Sequence, residues 1–298
     1  MKVLVTGPGR LGASLLPQLA AQGITGRVLR RSRQGDLPPG WDAVQADVTA
    51  GAPTAACAGC DVVLHMAALT HSNRRRQYAA VNVGGTANVL AAAEAAGVRH
   101  FVHVSTRAIT PEGGDYSISK ATAEDLVRRA DIPWTILRPA EVYGIGGREG
   151  VSSYIDRIRR GRWVPIVGDG SALLAPVLVD DVLAGFASAL RRPGEGATFH
   201  LAGPEEISLL DLTRRLAAYF RTAPRRVFLP PAGLRTAARA MRLLGLRHPP
   251  LVVDQVARLL SRKPYEIATA AASLGFRPRC LEDGLDALSR REKPDGDA

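Results

Sequence analysis

The sequence predicts an α/β fold built on a doubly wound parallel sheet, and three observations carry that prediction. Short apolar runs of strand length, at Lys2–Thr6, Gly26–Leu29, Asp61–His65 and His100–Ser105, alternate with longer stretches of helical apolar spacing. The first run leads into Gly7-Pro8-Gly9-Arg10-Leu11-Gly12 and then into a helical pattern through Leu15, Leu16 and Leu19. The fourth run ends in the hydroxyl residues Ser105 and Thr106, and in an open parallel sheet the C-terminal ends of the strands form the ligand crevice.

Size and composition narrow the class. At 298 residues the chain can bury a full core, as one large domain or two intimate ones. The net charge is +11, yet the arginines fall mostly in scattered pairs, with Arg74-Arg75-Arg76 the single triplet. Lysine stands only at positions 2, 120, 263 and 293. This distribution is that of solvated helix faces, so nucleic acid is not the expected partner. Cys57, Cys60 and Cys280 make no disulfide framework, and a lone Cys-x-x-Cys lacks the second ligand pair that zinc needs, so buried thiols and no metal are expected. No apolar run reaches the ~18 residues of a membrane span. A strand and glycine turn from residue 2 leave no secretory signal, and the expectation is a cytoplasmic protein away from membranes.

Each element then adds its own chemistry. Glycines at a strand-to-helix turn let backbone approach a pyrophosphate, and the helix start offers it free N–H groups and a positive dipole end. Gly7, Gly9, Arg10, Leu11 and Gly12 are therefore candidate dinucleotide-binding residues. The second strand ends in Arg30-Arg31-Ser32-Arg33, with no acidic residue before Asp36. An acid there would bind a ribose 2′-hydroxyl, whereas arginine suits a 2′-phosphate. Arg30 and Arg31, with Arg10, thus point to NADP(H), with NAD(H) still possible. Asp47, followed by Val48, is placed after a short strand to hydrogen-bond an adenine amine. His65 reads as a packed strand-end residue, and Met66, Ala67 and Ala68 are small or slender enough for a cofactor to lie against the backbone. Asn82 precedes an Ala-rich helix expected over Gly84–Ala96.

Asp115-Tyr116-Ser117-Ile118-Ser119-Lys120 sets a phenol and an amine four residues apart at a helix start, which places both side chains on one face. A phenol of pKa ~10 is a poor acid or base at neutral pH, and a fixed positive charge beside it stabilises its phenolate. Lys120 is the expected source of that charge.

Taken together, Thr6-Gly7 with the glycine loop, Asp47, His65–Ala68, Asn82–Thr86, Val104–Thr106, Tyr116-x-x-x-Lys120, Leu137–Gly144 and Gly168-Asp169-Gly170 followed by Val179–Val182 resemble the short-chain dehydrogenase/reductase superfamily. The resemblance is to its extended or atypical branch, often labelled NAD-dependent epimerase/dehydratase, and covers about residues 1–205. It implies a Rossmann-type doubly wound parallel sheet with a smaller, interleaved C-terminal α/β substrate-binding domain. The dinucleotide-binding part is expected over 1–165 and the mainly substrate-binding part over 166–298. It also implies that Tyr116 is the general acid/base, that Lys120 lowers its pKa and binds the nicotinamide ribose, and that Thr106 hydrogen-bonds the substrate oxygen. Asn82 and Pro139 are expected beside the cofactor. His71, Arg107, Glu141, Tyr143, Arg148, Tyr154 and Trp163 are candidates for the substrate wall. The helices near 84–97 and 116–130 are where such proteins often form homodimers.

Departures from the family pattern bear on substrate. Pro8 cannot donate an N–H to a pyrophosphate, and the glycine loop is one residue shorter than the usual one. Only ten residues separate Thr106 from Tyr116, so the loop over the substrate is trimmed. Arg107-Ala108 replaces the acidic pair of sugar dehydratases, which disfavours elimination. Glu141 stands where nucleotide-sugar enzymes tend to have Asn, and Leu174 where they tend to have an Arg that clasps a diphosphate. The leading reading is an NADP(H)-dependent oxidoreductase, a ketoreductase acting on a small-molecule ketone or secondary alcohol that is not a nucleotide sugar. A nucleotide-sugar epimerase with retained NAD and a non-catalytic dinucleotide-binding subunit or sensor stay open as alternatives. Helices are expected near 181–191 and 208–221, and the Leu234–Leu246 stripe, between Pro230-Pro231 and Pro249-Pro250, reads as a helical lid.

Overall fold

The structure, a computed structural model, describes residues 1–31, 35–51, 54–144, 150–192, 196–244 and 253–292. Seven parallel strands form the main sheet in the order β3-β2-β1-β4-β5-β6-β11. They are β1 (Lys2–Thr6), β2 (Thr25–Arg30), β3 (Trp41–Gln45), β4 (Val62–His65), β5 (His100–Val104), β6 (Trp134–Pro139) and β11 (Ala197–Leu201). Alternation along each strand feeds two cores. Val3, Val5, Val62, Leu64, Val102 and Leu137 face one layer, whereas Leu4, Val63, Phe101 and Ile136 face the other. The first layer holds α1 (Gly9–Ala21) and α7 (Val179–Arg191). The second holds α2 (Thr54–Cys57), with Cys57 and Cys60 as buried free thiols, together with α4 (Gly85–Ala95) and α5 (Gly114–Arg128).

The chain runs outward from β1 through β2 to β3 and then returns to place β4 on β1's other side, so the direction of winding reverses between β1 and β4. At that point Gly7 adopts φ +58°, and a Cβ there would overlap the Ala67 backbone. The close approach of the two strand ends therefore requires glycine.

Two helix boundaries differ from the sequence expectation. Helix α1 starts at Gly9, not after Gly12, which brings Arg10, Leu11 and Gly12 into its first turns. The helix expected from Gly84 is preceded by α3 (Arg75–Tyr78) and a π-helical turn, Ala79–Gly84. That turn drives the Asn82 side chain inward, where its amide accepts from Leu69 N (2.7 Å) and donates to Leu69 O (3.1 Å) and Ser119 Oγ (2.9 Å).

A second lobe is threaded through the first. β7 (Glu141–Tyr143) pairs with β10 (Pro176–Leu178), β8 (Val164–Val167) with β13 (Arg226–Leu229), and β9 (Leu173–Leu174) with β12 (Ile207–Ser208). Around these pairs lie α6 (Gly150–Arg159), α8 (Leu209–Tyr219), α9 (Pro231–Leu243), α10 (Val253–Leu260), α11 (Ala268–Leu274) and α12 (Leu281–Glu292). The chain leaves the main sheet after β6, enters the second lobe at Glu141, and returns through α7 to the sheet as β11. Helix α8 is capped by Ser208, whose Oγ accepts from Asp211 N (3.0 Å). Helix α9 opens with Pro231 in its first turn, where a missing N–H costs nothing, and the expected stripe is helical to Leu243; Pro249-Pro250 lie outside the described residues. Among the described residues no helix is long and apolar enough to cross a membrane, and no His, Cys, Asp or Glu cluster is suited to a metal ion.

Candidate active site

The site forms where β5 hands the chain to α5. The loop between them is folded onto the helix's first turn by Ser117, whose Oγ accepts from Thr110 N (2.7 Å) and donates to Thr110 O (2.9 Å). Tyr116 and Lys120 then stand one turn apart on the buried face of α5, 7% and 1% exposed. The Thr106 hydroxyl accepts from Ala108 N (3.1 Å) and lies close enough to the Tyr116 phenol to oppose the effect of burial on it. Lys120 Nζ donates to the Val104 carbonyl at the end of β5 (2.9 Å) and lies 3.4 Å from His103 Nε2. The three predicted catalytic residues are therefore brought together.

Beneath them the polar floor is neutral. His103 stacks on His65 at 5.4 Å between centroids. His65 is held by Thr6 Oγ1 (2.6 Å) and Thr86 Oγ1 (3.0 Å). Burial, aided by the Lys120 charge, pushes His65 down to about 3 and His103 well below the ordinary histidine value. Below Lys120 in α5, Glu124 is fully buried; burial alone would raise its pKa, but Arg138, Ser105 and Arg128 hold it below the usual carboxylate range.

The Tyr116 phenol is raised overall, because burial outweighs the opposing influences of Arg258 and Thr106. Lys120 is itself pushed down to about 8 by burial, against the pull of Glu124. The cation on the Tyr116 ring is Arg258 of α10, with its guanidinium 4.4 Å from the ring centroid. Tyr78 meets the same ring edge-on at 6.0 Å. Helix α10 roofs the site through further contacts. Asp254 accepts from Tyr116 N (3.5 Å), Gln255 hydrogen-bonds His71 Nε2 (2.7 Å), and Thr110 Oγ1 donates to Ser261 Oγ (3.0 Å). A Cβ at Gly114 (φ +70°) would overlap the Asp254 carboxylate, so glycine there lets the roof sit down.

The residues at the switch point fit a dinucleotide. Helix α1 opens at Gly9, with Gly12 N reaching Pro8 O (2.9 Å), and the start of a helix offers an anion N–H groups and a positive dipole end. Space is open around the missing Gly9 side chain, at φ +51°, so backbone is presented without obstruction. Met66 N is tied to Thr6 O (3.0 Å), which fixes the Met66–Ala68 strip beside Gly7. Arg30 donates to Gly35 O, and Arg31 lies close enough for its charge to act on Asp47. Asp47 is held below the usual carboxylate range chiefly by the Thr49 backbone N–H and also by its hydroxyl, both 2.8 Å from Oδ1. Val48 is buried against the position of Gly85. Asn82, with its amide bonded to Leu69 and Ser119, serves by positioning that loop. The Pro139 carbonyl receives Arg107 N (3.0 Å). Arg33 lies outside the described residues.

The candidate substrate residues divide. Arg107 is buried and bridges Glu141 and Glu206 at 3.1 Å each, and His71 meets Gln255 of α10. Tyr143 is turned away, buried against Gly284 with its hydroxyl toward Leu281 O (3.4 Å). Tyr154 donates to Pro165 O (2.8 Å) inside the second lobe. Trp163 is 49% exposed, with Arg157 stacked on it. Arg148 lies outside the described residues. Residues missed from the sequence are Tyr78, Glu206, Asp254, Arg258 and Lys263. Most carry no local signal, since they reach the site from far along the chain. Among the described residues Lys120 and Lys263 are the buried lysines, and the scarcity of lysine in the chain is the one sequence signal that bears on them.

With this geometry established, comparison with known proteins gives a consistent family. The family described as NAD dependent epimerase/dehydratase matches residues 3–202. The chain is 32% identical to a 4-hydroxy-2-methyl-3-oxo-4-farnesyl-3,4-dihydroquinoline-1-oxide ketoreductase of Stigmatella aurantiaca, over 70% of each chain. It is 30% identical to a 2-alkyl-3-oxoalkanoate reductase of Stenotrophomonas maltophilia, over 97% of this chain and 98% of that one. A dTDP-glucose 4,6-dehydratase of Streptomyces venezuelae solved with NAD shares the fold, with a TM-score of 0.76 at 24% identity over 98% of both chains. The parallel sheet, the glycine turn at its switch point and these relatives lead to one assignment: the chain belongs to the NAD dependent epimerase/dehydratase family of the extended short-chain dehydrogenase/reductases.

Proposed function

We propose that the protein is an NADP(H)-dependent ketone reductase in which Tyr116 is the general acid. The observation that carries this reading is the buried Tyr116 phenol, close to the Thr106 hydroxyl and one helical turn from Lys120, which is itself bonded to Val104 O at the C-terminal end of β5. A bound nicotinamide supplies the hydride. Its pyrophosphate is taken by the first-turn N–H groups of α1, its ribose by Lys120, and its 2′-phosphate by Arg31 with Arg30 and Arg10. A raised pKa keeps Tyr116 protonated at neutral pH, as a proton donor must be. Tyr116 then gives its proton to the oxygen of the carbonyl under reduction, while Thr106 hydrogen-bonds that oxygen and holds it. The neutral histidine floor leaves the Lys120 charge unopposed by any imidazolium.

The substrate in this reading is a ketone on an apolar scaffold and not a nucleotide sugar. Leu174, buried in β9, stands at the sequence position where nucleotide-sugar enzymes tend to have a diphosphate-clasping arginine. The ketoreductase and 3-oxoalkanoate reductase among the relatives act on oxo groups, in support of the same class. We further propose a homodimer through the outer faces of α4 and α5, where Ile118 is 52% exposed; the mass in solution checks it.

Separate fluorescence titrations with NADPH and NADH, on wild type and Arg31→Ala, test the cofactor assignment. NADPH is expected to bind more tightly, with the preference lost in the variant. Tighter NADH binding, or NAD already bound on purification, overturns it in favour of an epimerase that retains its cofactor.

A further inference from the structure

The proposed reaction leaves the outer surface of the second lobe unused, and the charge there is one-sided. From Leu212 to Leu244 the sequence carries eight arginines and no aspartate or glutamate. Arg214 is paired with Asp211, and Arg215 with Glu205 and Glu282. The other six, Arg221, Arg225, Arg226, Arg235, Arg239 and Arg242, are all exposed and form no ion pair among the described residues. An ordinary solvated surface intersperses both signs, which this one does not.

Helix α9 gathers three of these cations on one face. Arg235, Arg239 and Arg242 follow at i, i+4 and i+7, a spacing that sets them in a single outward stripe. Leu234, Ala238 and Met241 keep the same spacing one residue earlier and turn inward, with Ala238 fully buried. At the helix end Leu243 continues the arginine stripe, 88% exposed, and Leu244 beside it is 76% exposed. The preceding strand, β13, repeats the combination, with Arg226 and Phe228 on its outward side and the phenylalanine 54% exposed. Large apolar side chains standing in water among unpaired cations call for a partner that receives both.

We infer that α9 and β13 form a docking surface for an anionic lipid bilayer, with the arginines on lipid phosphates and Leu243, Leu244 and Phe228 in the apolar layer below them. Charge complementarity decides the occupant. Guanidiniums on long stems reach headgroups, and a lipid interior receives the apolar tips between them. Nucleic acid would pair with the arginines and leave the leucines in water. A second copy of the chain would set the same unpaired cations against each other. Attachment to one face of a bilayer needs no spanning helix, and it replaces the expected separation from membranes, which rested on the length of apolar runs.

The position bears on the chemistry as well. Helix α9 packs against α10, and α10 carries Arg258 onto the Tyr116 ring. A bilayer docked on α9 lies beside the roof of the site, so an apolar ketone passes from lipid to cleft without crossing bulk water. That consequence rests on the ketone reductase reading; the docking itself does not.

Cosedimentation of the full chain with vesicles tests the inference, using phosphatidylcholine alone and phosphatidylcholine mixed in equal parts with phosphatidylglycerol. Wild type is expected to bind the mixed vesicles and not the neutral ones, and to be released as salt rises. The triple change Arg235→Gln, Arg239→Gln and Arg242→Gln should weaken that binding roughly a hundredfold, at about fivefold for each arginine near an anionic surface. The double change Leu243→Ser and Leu244→Ser should weaken it about tenfold or more. All five side chains are exposed, so both variants are expected to fold, and circular dichroism checks it. Wild type that stays in the supernatant with the mixed vesicles overturns the inference, as does binding that survives undiminished in either folded variant. Tighter binding to a DNA duplex than to the mixed vesicles makes the partner nucleic acid and overturns it too.

Discussion

Tyr116 stands between two cations that reach it by different routes. Lys120 follows it by one helical turn on α5 and lies beneath it, bonded to the Val104 carbonyl. Arg258 comes from α10, far along the chain, and lies across the face of the ring. The near cation is buried and lowered toward neutrality, whereas the distant one shows no hydrogen bond from its guanidinium among the described residues and acts through the ring and the roof helix. The contrast separates what one local spacing can encode, a charge at fixed distance from a phenol, from what only the finished fold can add, a cover.

The largest expected effect comes from removing the phenol that both cations serve. Tyr116→Phe keeps the ring against Tyr78 and Arg258 but has no proton to give. Its kcat for ketone reduction should fall by about 10²–10⁴-fold with NADPH affinity nearly unchanged, as steady-state rates and a binding titration will show. The next effect tests the distant part of the fold. Arg107→Met removes a buried guanidinium shared by two part-buried carboxylates that keep Lys263 and Arg262 beside them, and urea unfolding should report a loss of about 1–3 kcal/mol.

A pH series sharpens the account of the near cation. Lys120 titrates at about 8 in the folded protein against 10.5 in an ordinary lysine, so the folded state sheds this proton first. Reduction should therefore weaken as pH rises through about 8. Over the window from about 8 to about 10.5, the unfolded chain binds more protons than the folded one, so the stability contribution of Lys120 rises. Activity and stability moving in opposite directions there, with the stability change absent in Lys120→Met, is the signature; parallel loss of both in wild type would contradict it. The smallest effect belongs to the distant cation. Arg258→Leu removes a cation–π contact worth about 0.5–2 kcal/mol and one of the two influences that oppose burial at Tyr116. Ultraviolet titration should place the Tyr116 phenolate at still higher pH in that variant, and an unchanged titration would show that Arg258 only packs.

The same division governs what could be read in advance. The strands, the glycine turn, the switch point at Gly7 and Ala67, and the meeting of Thr106, Tyr116 and Lys120 are written in patterns a few residues long. Periods of two and 3.6 residues and fixed offsets suffice for them. Tyr143, Tyr154 and Trp163 show where such reading stops. An aromatic residue near the start of the second lobe is equally suited to a wall or a core, and packing against α12 and β8 decides the question. The roof from α10 arises from contacts between segments more than a hundred residues apart, for which the sequence holds no spacing rule. The burial that raises the Tyr116 phenol is likewise a property of the assembled cleft, which no local spacing encodes.

The measurement closest to the central claim is NADPH consumption in the presence of ketones on apolar scaffolds, by wild type and Tyr116→Phe side by side. The account predicts one NADPH oxidised for each alcohol formed by wild type, and a Tyr116→Phe protein that binds NADPH yet scarcely turns over. Turnover of the variant at the wild-type rate would contradict the assignment of Tyr116 as the proton donor.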